Sequence, residues 1–325
     1  MKRCPVCNAR CFSDMKICYG CLHRFEEGDE VCQLAQEDEI TLEEPRDFAI
    51  QSAVQIKALE RGKTMLLVID VGNTQTVLGV FDSAELRRTW RIATDKKQTA
   101  DEIHIVVNSL MGAAGISLDE ITAAALASVV PCLTDEWKQA LQSLTGSEPV
   151  VCTAAAAEGL FEADYPNPEE IGQDRVADAI AARAVYGAPV IVVDFGTATN
   201  IEVIDRRGCF CGGIIAPGVK TSMSALFGNA SRLSVVELDD PGRVIGKNTT
   251  QAIQSGIVYG EAERVDGLLN RIYDELGYKA RVVATGGLSA FMANHSREIT
   301  HVDCDLTLQG LRLLYEAKTA KDGER

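Results

Sequence analysis

The sequence contains no apolar run long enough to cross a bilayer, so a membrane-spanning segment is not expected. It is also poor in basic residues, because 32 lysines and arginines stand against 47 aspartates and glutamates, a formal net charge of −15. A nucleic-acid surface needs a basic stripe and is therefore not expected, although a local site for a small anion remains compatible with this charge. The N-terminus lacks the apolar core of a secretory signal, which predicts a cytoplasmic protein.

The 11 cysteines are unevenly distributed, and the first tenth of the chain holds six of them. Two Cys-x-x-Cys pairs in this stretch have the spacing at which four thiolates converge on a tetrahedral metal ion. We expect a structural zinc module over residues 1–25, although an iron site would use the same spacing. Four cysteine ligands leave no open position for catalysis, so the module would serve folding or an unidentified protein partner. The predicted ligands are Cys4, Cys7, Cys18 and Cys21.

Residues 26–64 separate this module from the rest of the chain. Glutamate and aspartate dominate the first half of the segment, which is typical of a solvated linker. Apolar residues at helical spacing between Phe48 and Arg61 predict a short amphipathic helix before the main fold begins.

Two stretches farther along share one pattern: Met65–Asp82 reads MLLVIDVGNTQTVLGVFD, and Pro189–Asp205 reads PVIVVDFGTATNIEVID. Each has a short apolar run, then Asp-x-Gly with small polar residues, then a second apolar run. This pattern predicts two antiparallel strands joined by a tight turn. An ordinary buried hairpin would explain one copy, whereas two copies indicate a duplicated fold unit.

The turns of these hairpins have the composition of a phosphate site. Gly72 and Gly196 permit close backbone approach, and the neighbouring hydroxyls and amide groups offer hydrogen-bond donors. The carboxylates of Asp70 and Asp194 would repel a phosphate unless a cation lay between them. Two such turns facing each other could hold a nucleoside triphosphate. The hydroxyls expected to take part are those of Thr74, Thr76, Thr197 and Thr199.

Strands and helices alternate through the remainder of the chain, which favours an α/β fold. Thr99 followed by Glu102 is a capping box at the start of one predicted helix. With the repeated hairpin, the alternation predicts two α/β lobes of similar design, over residues 65–157 and 158–325.

A third motif lies between the hairpins, where Tyr165-Pro166-Asn167-Pro168 leads to Gly172-Gln173-Asp174-Arg175 at the start of a predicted helix. An aspartate at a helix start is most often an N-cap. The rigid aromatic, the glycine and the arginine nearby suggest instead a catalytic base beside an anion clamp, because a guanidinium can bind a carboxylate through two hydrogen bonds.

The motifs DVGNT, GQDR, DFGTAT and a late TGG together resemble those of the type III pantothenate kinases, from about Met65 to Lys318. That family belongs to the superfamily of acetate kinase, sugar kinases, heat-shock chaperones and actin. The resemblance implies two actin-like, or ribonuclease H-like, lobes with a cleft between them. It implies ATP-dependent phosphorylation of pantothenate to 4′-phosphopantothenate, the first step of coenzyme A biosynthesis, by a homodimer.

The same resemblance assigns roles to individual residues. Asp174 is the base that accepts the proton of the pantothenate hydroxyl, and Asp194 is the ligand of a monovalent cation, K⁺ or NH₄⁺. From the residue alone Asp194 would suit Mg²⁺ equally well, and Thr249 could simply be a helix N-cap. ATP with Mg²⁺ is expected to contact Asp70, Val71, Gly72, Asn73, Thr74, Gln75, Thr76, Val77 and Thr197. Pantothenate is expected to contact Tyr165, Gly172, Gln173, Asp174, Arg175 and Thr249.

Two other functions remain open on the sequence alone. One is a kinase of the same superfamily that acts on another small hydroxylated substrate. The other is a regulatory protein that keeps the fold and acts only by binding, which the N-terminal extension would suit.

Overall fold

The computed structural model describes residues 65–229 and 235–323, together with two short N-terminal strands, β1 (Lys2–Arg3) and β2 (Arg10–Cys11), which pair antiparallel. The remainder of the predicted zinc module, with Cys4, Cys7, Cys18 and Cys21, lies outside the described residues. The predicted linker and short helix before Met65 lie outside them as well.

The first half of the described chain forms a mixed five-stranded sheet. Strands β3 (Met65–Val71), β4 (Gln75–Asp82) and β5 (Glu85–Ala93) form an antiparallel meander. Strands β6 (Ile121–Ser128) and β7 (Val150–Val151) extend the sheet in parallel on the other side of β3. Two helices connect these strands, α1 (Ala100–Ala113) and α2 (Pro131–Thr145).

The second half repeats the pattern in another five-stranded sheet, with β8 at its centre. Its strands are β8 (Val190–Phe195), β9 (Ala198–Ile204), β10 (Phe210–Pro217), β11 (Arg281–Thr285) and β12 (His301–Val302). Its helices are α3 (Gln173–Tyr186), α4 (Val219–Asn229), α5 (Thr249–Leu276), α6 (Ser289–Ala293) and α7 (Leu306–Gly323). Again the first three strands are antiparallel and the last two run parallel to the central one.

The predicted duplication is therefore confirmed as a mixed α/β architecture with two sheets of equivalent strand order. Both predicted hairpins are present, β3–β4 and β8–β9. The capping box of α1 is also present, with Glu102 N donating to the Thr99 hydroxyl and the Glu102 carboxylate accepting from Thr99 N. Among the described helices, none combines the length and apolar character needed to span a membrane.

Alternation along the central strands divides the core into layers. Leu67 and Ile69 of β3 pack in a cluster with α1 and α2, whereas Leu66 and Val68 point to the opposite face. That opposite face belongs to a central cluster containing α3, α7 and the alternate β8 residues Val190 and Val192. Because side chains alternate along a strand, Asp70 shares a face with Leu66 and Val68. Asp194 shares a face with Val190 and Val192, so both carboxylates point into the central layer.

Helices α3 and α7 make the close contact that fills this central layer. A Cβ placed on Gly310 of α7 would lie 2.0 Å from the Ala177 carbonyl oxygen of α3, so glycine is required for this approach. The alanine-rich sequence of α3 also permits close packing, because every side chain over residues 176–182 is buried and most of them are small. The start of α3 contacts both sheets, through Gln173 to Ser128 N of β6 and through Arg175 to Glu202 of β9.

Candidate functional site

The two acidic turns adjoin each other. Each turn is closed by a backbone hydrogen bond, from Gly72 N to the Gln75 carbonyl oxygen at 3.1 Å and from Gly196 N to the Ala198 carbonyl oxygen at 3.0 Å. The hydroxyls of Thr74 and Thr197, one from each turn, lie 2.9 Å apart in a hydrogen bond. Both side chains are otherwise exposed, so they bridge the mouth of the space between the hairpins.

Three carboxyl groups lie close enough to one another near these turns for their charges to interact. Burial raises the pKa of Asp70 well above its ordinary value, and the negative charges of Asp174 and Asp194 raise it further. Burial, followed by the charge of Asp174, raises the pKa of Asp194 to about 7. Burial likewise raises the pKa of Asp174, although hydrogen bonding and the charge of Arg175 oppose the rise. The cluster therefore concentrates negative charge in a poorly solvated space.

This cluster has the character of a cation site. The Oδ1 atom of Asp70 is buried and has no hydrogen-bond partner among the described residues, so a ligand that accepts its lone pairs would relieve the burial penalty. Carboxylate oxygens are the ligands that Mg²⁺ and other hard cations prefer. Within residues 65–229 and 235–323, no group of three acidic, histidine or cysteine side chains could hold a metal alone. A bound cation would therefore need oxygens from phosphate or water as well.

Asp174 lies inside α3 and not at its N-cap, which corrects the ordinary interpretation of this residue. Gly172 occupies the N-cap position, and Asp174 is the second residue of the helix. The Arg175 backbone N–H donates to Asp174 Oδ1 at 2.8 Å. A Cβ on Gly172 would lie 2.5 Å from the same oxygen, so the glycine leaves the space in which this carboxylate sits.

Arg175 is held by an acid that the sequence motifs did not reveal. Its Nε donates to Glu202 Oε1 at 2.9 Å, and Glu202 is fully buried. Burial raises the pKa of Glu202 to about 8 in spite of the opposing charge of Arg175. The guanidinium also lies 5.4 Å from the ring centroid of Phe210, which packs against the half-exposed Tyr165 ring. Tyr165 and Arg175, separated by ten positions, thus share the Phe210 contact.

Two of the four expected hydroxyls belong to buried threonines. Thr76 is buried, and its hydroxyl forms a 2.9 Å hydrogen bond with that of Thr94. Thr199 is also buried and donates to Glu261 Oε1 at 2.6 Å. Their burial follows from strand alternation, which a turn motif does not reveal, and their contact with a phosphate stays a prediction.

The other predicted nucleotide contacts have varied surroundings. Val71 is buried in the outer core, and Val77 is partly buried toward the central layer. Gln75 is exposed, and Asn73 is exposed with its Oδ1 accepting from Lys96 Nζ at 3.3 Å. Of these four predicted contacts, the two in or next to the turn, Asn73 and Gln75, have exposed side chains, and the two valines do not.

The remaining predicted substrate contacts lie in two places. Gln173 is beside the cluster, where its Oε1 accepts from Ser128 N at the end of β6 at 2.8 Å. Thr249 is exposed as the first residue of α5, and it shares no hydrogen bond or ion pair with the clustered residues just described. The helix N-cap is Asn248, whose side chain accepts from Gln251 N, so Thr249 itself is not the cap.

The late TGG motif joins the site through Asp194. Thr285, the last residue of β11, pairs with Asp194 of β8 in the parallel register. Gly286 has a φ of +87°, and a Cβ there would lie 2.1 Å from Asp194 Oδ1. Both the backbone conformation and the nearby carboxylate therefore require glycine.

Comparison with known proteins shows the family of this chain. A family model described as type III pantothenate kinase matches residues 66–271. The type III pantothenate kinase of Moorella thermoacetica is 44% identical over 255 residues, covering 78% of this chain and all of the relative. That of Thermomicrobium roseum is 47% identical over 252 residues, covering 78% of this chain and 97% of the relative.

A solved structure supports the fold independently. Component A of (R)-2-hydroxyglutaryl-CoA dehydratase from Acidaminococcus fermentans superposes with a TM-score of 0.50 at 16% identity, over 79% of this chain and 99% of that one. This likeness concerns the arrangement of the two sheets. By the family model and the identity to its members, the chain belongs to the type III pantothenate kinase family.

Proposed function

We propose that Asp174 is the base through which this protein phosphorylates pantothenate, with ATP held between the two acidic turns. The activity follows from the family: the protein is a pantothenate kinase of coenzyme A biosynthesis, and it uses ATP with a divalent metal. The observation that carries the proposed arrangement is the cluster of Asp70, Asp174 and Asp194 near the joined turns.

The chemistry requires positioning and charge balance more than covalent catalysis. Asp174 would accept the proton of the attacking hydroxyl, and its raised pKa would bring it closer to the operating pH, which favours a general base. Arg175, fixed by Glu202, would orient the substrate carboxylate. The turn amides and the Thr74 and Thr197 hydroxyls would donate to phosphate oxygens, and a bound Mg²⁺ would supply neutralising charge at Asp70.

Several finer features belong to the same proposal. We assign Asp194 to a monovalent cation, K⁺ or NH₄⁺, and the four N-terminal cysteines at positions 4, 7, 18 and 21 to structural zinc. The expected assembly is a homodimer in the cytoplasm, with the zinc module available to a protein partner. The boundaries proposed for the two lobes remain 65–157 and 158–325.

A coupled ADP-release assay tests the function, run with and without pantothenate and with and without K⁺. Full-length protein and a chain starting at Met65 should both turn over ATP only when pantothenate is present. Turnover with another hydroxylated compound but not pantothenate would identify a different kinase. Absence of turnover with intact nucleotide binding would favour the regulatory alternative.

The role of Asp174 is tested in the same assay by Asp174→Asn. Loss of a general base lowers kcat by about 10²- to 10⁴-fold, and the KM values should change much less. Asp135→Asn is the matched control, because that carboxylate is exposed on α2 and its one ion pair within the described residues is with the Lys138 ammonium at 3.7 Å. Near-normal turnover by Asp174→Asn would rule out the base role.

A further inference from the structure

Arg91 of β5 lies in one cross-strand row with the acidic turn. Asp70 pairs with Val77 in the β3–β4 register, and Val77 pairs with Arg91 in the β4–β5 register. Residues directly opposite each other in a sheet project to the same face. Arg91 therefore projects to the face of Asp70, which is the central layer between the two sheets.

The guanidinium of Arg91 also reaches the second half of the fold. A Cβ placed on Gly287, in the TGG turn after β11, would lie 3.6 Å from Arg91 Nη1. Arg91 thus extends from β5, at the edge of the first sheet, to the turn after β11, the strand that pairs with β8 next to Asp194. Thr74 and Thr197 connect the same two halves at the acidic turns.

The charge of Arg91 acts on one side of the carboxylate cluster. It opposes the rise in pKa of Asp70 and Asp194, and also that of Asp305 in the turn before α7. The cation that acts on Asp174 is Arg175. Arg175 is already paired with Glu202. Among the described residues, Arg91 makes no hydrogen bond or salt bridge, and it remains exposed. Its guanidinium is therefore available to a ligand on the Asp70 and Asp194 side.

We infer that Arg91 is a further catalytic residue, which binds the terminal phosphates of the nucleotide across the gap between the turns. This inference rests on the proposed function. A triphosphate next to three carboxylates needs compensating positive charge, and a guanidinium offers planar paired donors to phosphate oxygens. Its position beside the TGG turn would also let the nucleotide connect the two halves of the fold.

The test compares Arg91→Gln with Arg88→Gln. Arg88 lies on the same strand and is exposed, but it pairs with Val80, whose side chain belongs to the outer cluster. Arg88 therefore projects away from the gap and is a matched control. Arg91→Gln should raise the KM for ATP about tenfold or more and lower kcat, because charge-assisted phosphate contacts are lost. The KM for pantothenate should remain within about threefold, and Arg88→Gln should match the unaltered protein.

Calorimetric binding distinguishes a phosphate contact from a structural role. Arg91→Gln should weaken a non-hydrolysable ATP analogue more than ADP, with an unchanged thermal midpoint in the absence of nucleotide. If Arg91→Gln does not fold, Arg91→Lys takes its place. It should show a smaller selective loss of affinity for the ATP analogue, because lysine keeps the positive charge but lacks the paired N–H donors of the guanidinium.

Three results would overturn the inference while leaving the proposed function intact. They are an unchanged KM for ATP in a folded Arg91 variant, equal weakening of ATP analogue and ADP, or a change confined to the KM for pantothenate. Failure of the proposed function is separate, since the unaltered protein would then show no pantothenate-dependent turnover.

Discussion

Replacing Gly172 with alanine should displace the carboxylate of Asp174 without disturbing the fold. Gly172 has φ −53° and ψ 141°, which alanine adopts without strain, so the backbone has no need of glycine here. The added Cβ would lie 2.5 Å from Asp174 Oδ1. The ordinary contact distance is longer by roughly 1 Å, so the carboxylate must rotate or shift by a comparable amount.

The size of the effect follows from this displacement. Asp174 Oδ1 is the atom that accepts from Arg175 N, so a shift also breaks the contact that orients the carboxylate. A misplacement of about 1 Å at a reacting group can reduce the rate about 10²-fold. We therefore expect kcat of Gly172→Ala to fall on the order of 100-fold, with a much smaller change in the KM for ATP.

The assay is steady-state kinetics combined with thermal unfolding. Gly112→Ala is the matched control, because Gly112 lies in α1 and no atom of the described part of the chain lies within 4 Å of the added Cβ. That control should keep full activity and gain up to about 1 kcal/mol of stability, as alanine is the better helix former. If Gly172→Ala retains kcat within about threefold of the unaltered protein, the position of Asp174 does not govern the reaction as argued.

Two further predictions concern the packing and ionisation around the site. Gly310→Ala should destabilise the protein by about 1–3 kcal/mol or more, because its Cβ would overlap the Ala177 carbonyl oxygen. Chemical denaturation measures the free energy of unfolding, and a value equal to that of Gly112→Ala would contradict the α3–α7 contact. Glu202 has a pKa raised from its ordinary 4.5 to about 8, so between these values the folded state holds a proton that the unfolded state releases. The stability that this proton contributes is therefore lost as pH rises through this range. Glu202→Gln should make the decline of the unfolding free energy between pH 5 and 8 shallower, by no more than the slope that one titrating proton produces. Thermal unfolding across that range measures it, and an unchanged slope would show that Glu202 is ionised throughout.

The kinase motifs and the duplicated hairpins were recognisable in the sequence because each depends on local pattern. An apolar run followed by Asp-x-Gly predicts a strand and a turn wherever it occurs, and both predicted hairpins are present. The capping box of α1 was equally local. The family resemblance rested on these short motifs, and the relatives at 44% and 47% identity agree with it.

Side-chain direction and long-range partners were not recognisable in the same way. The buried positions of Thr76 and Thr199 depend on strand alternation and on partners elsewhere, Thr94 and Glu261. The Glu202 partner of Arg175 is 27 positions away and carries no motif of its own. The approach of Arg91 to Gly287 depends on how the two sheets face each other.

The sequence by itself determined the hairpins, the start of α1 and the family, because these follow from spacing, capping and glycine conformation within a few residues. Only the tertiary structure decided which carboxyl groups share one poorly solvated space and which cation faces them. Those relations arise when α3 and α7 pack between two sheets, and the pKa of each buried acid depends on neighbours that the chain order does not bring together.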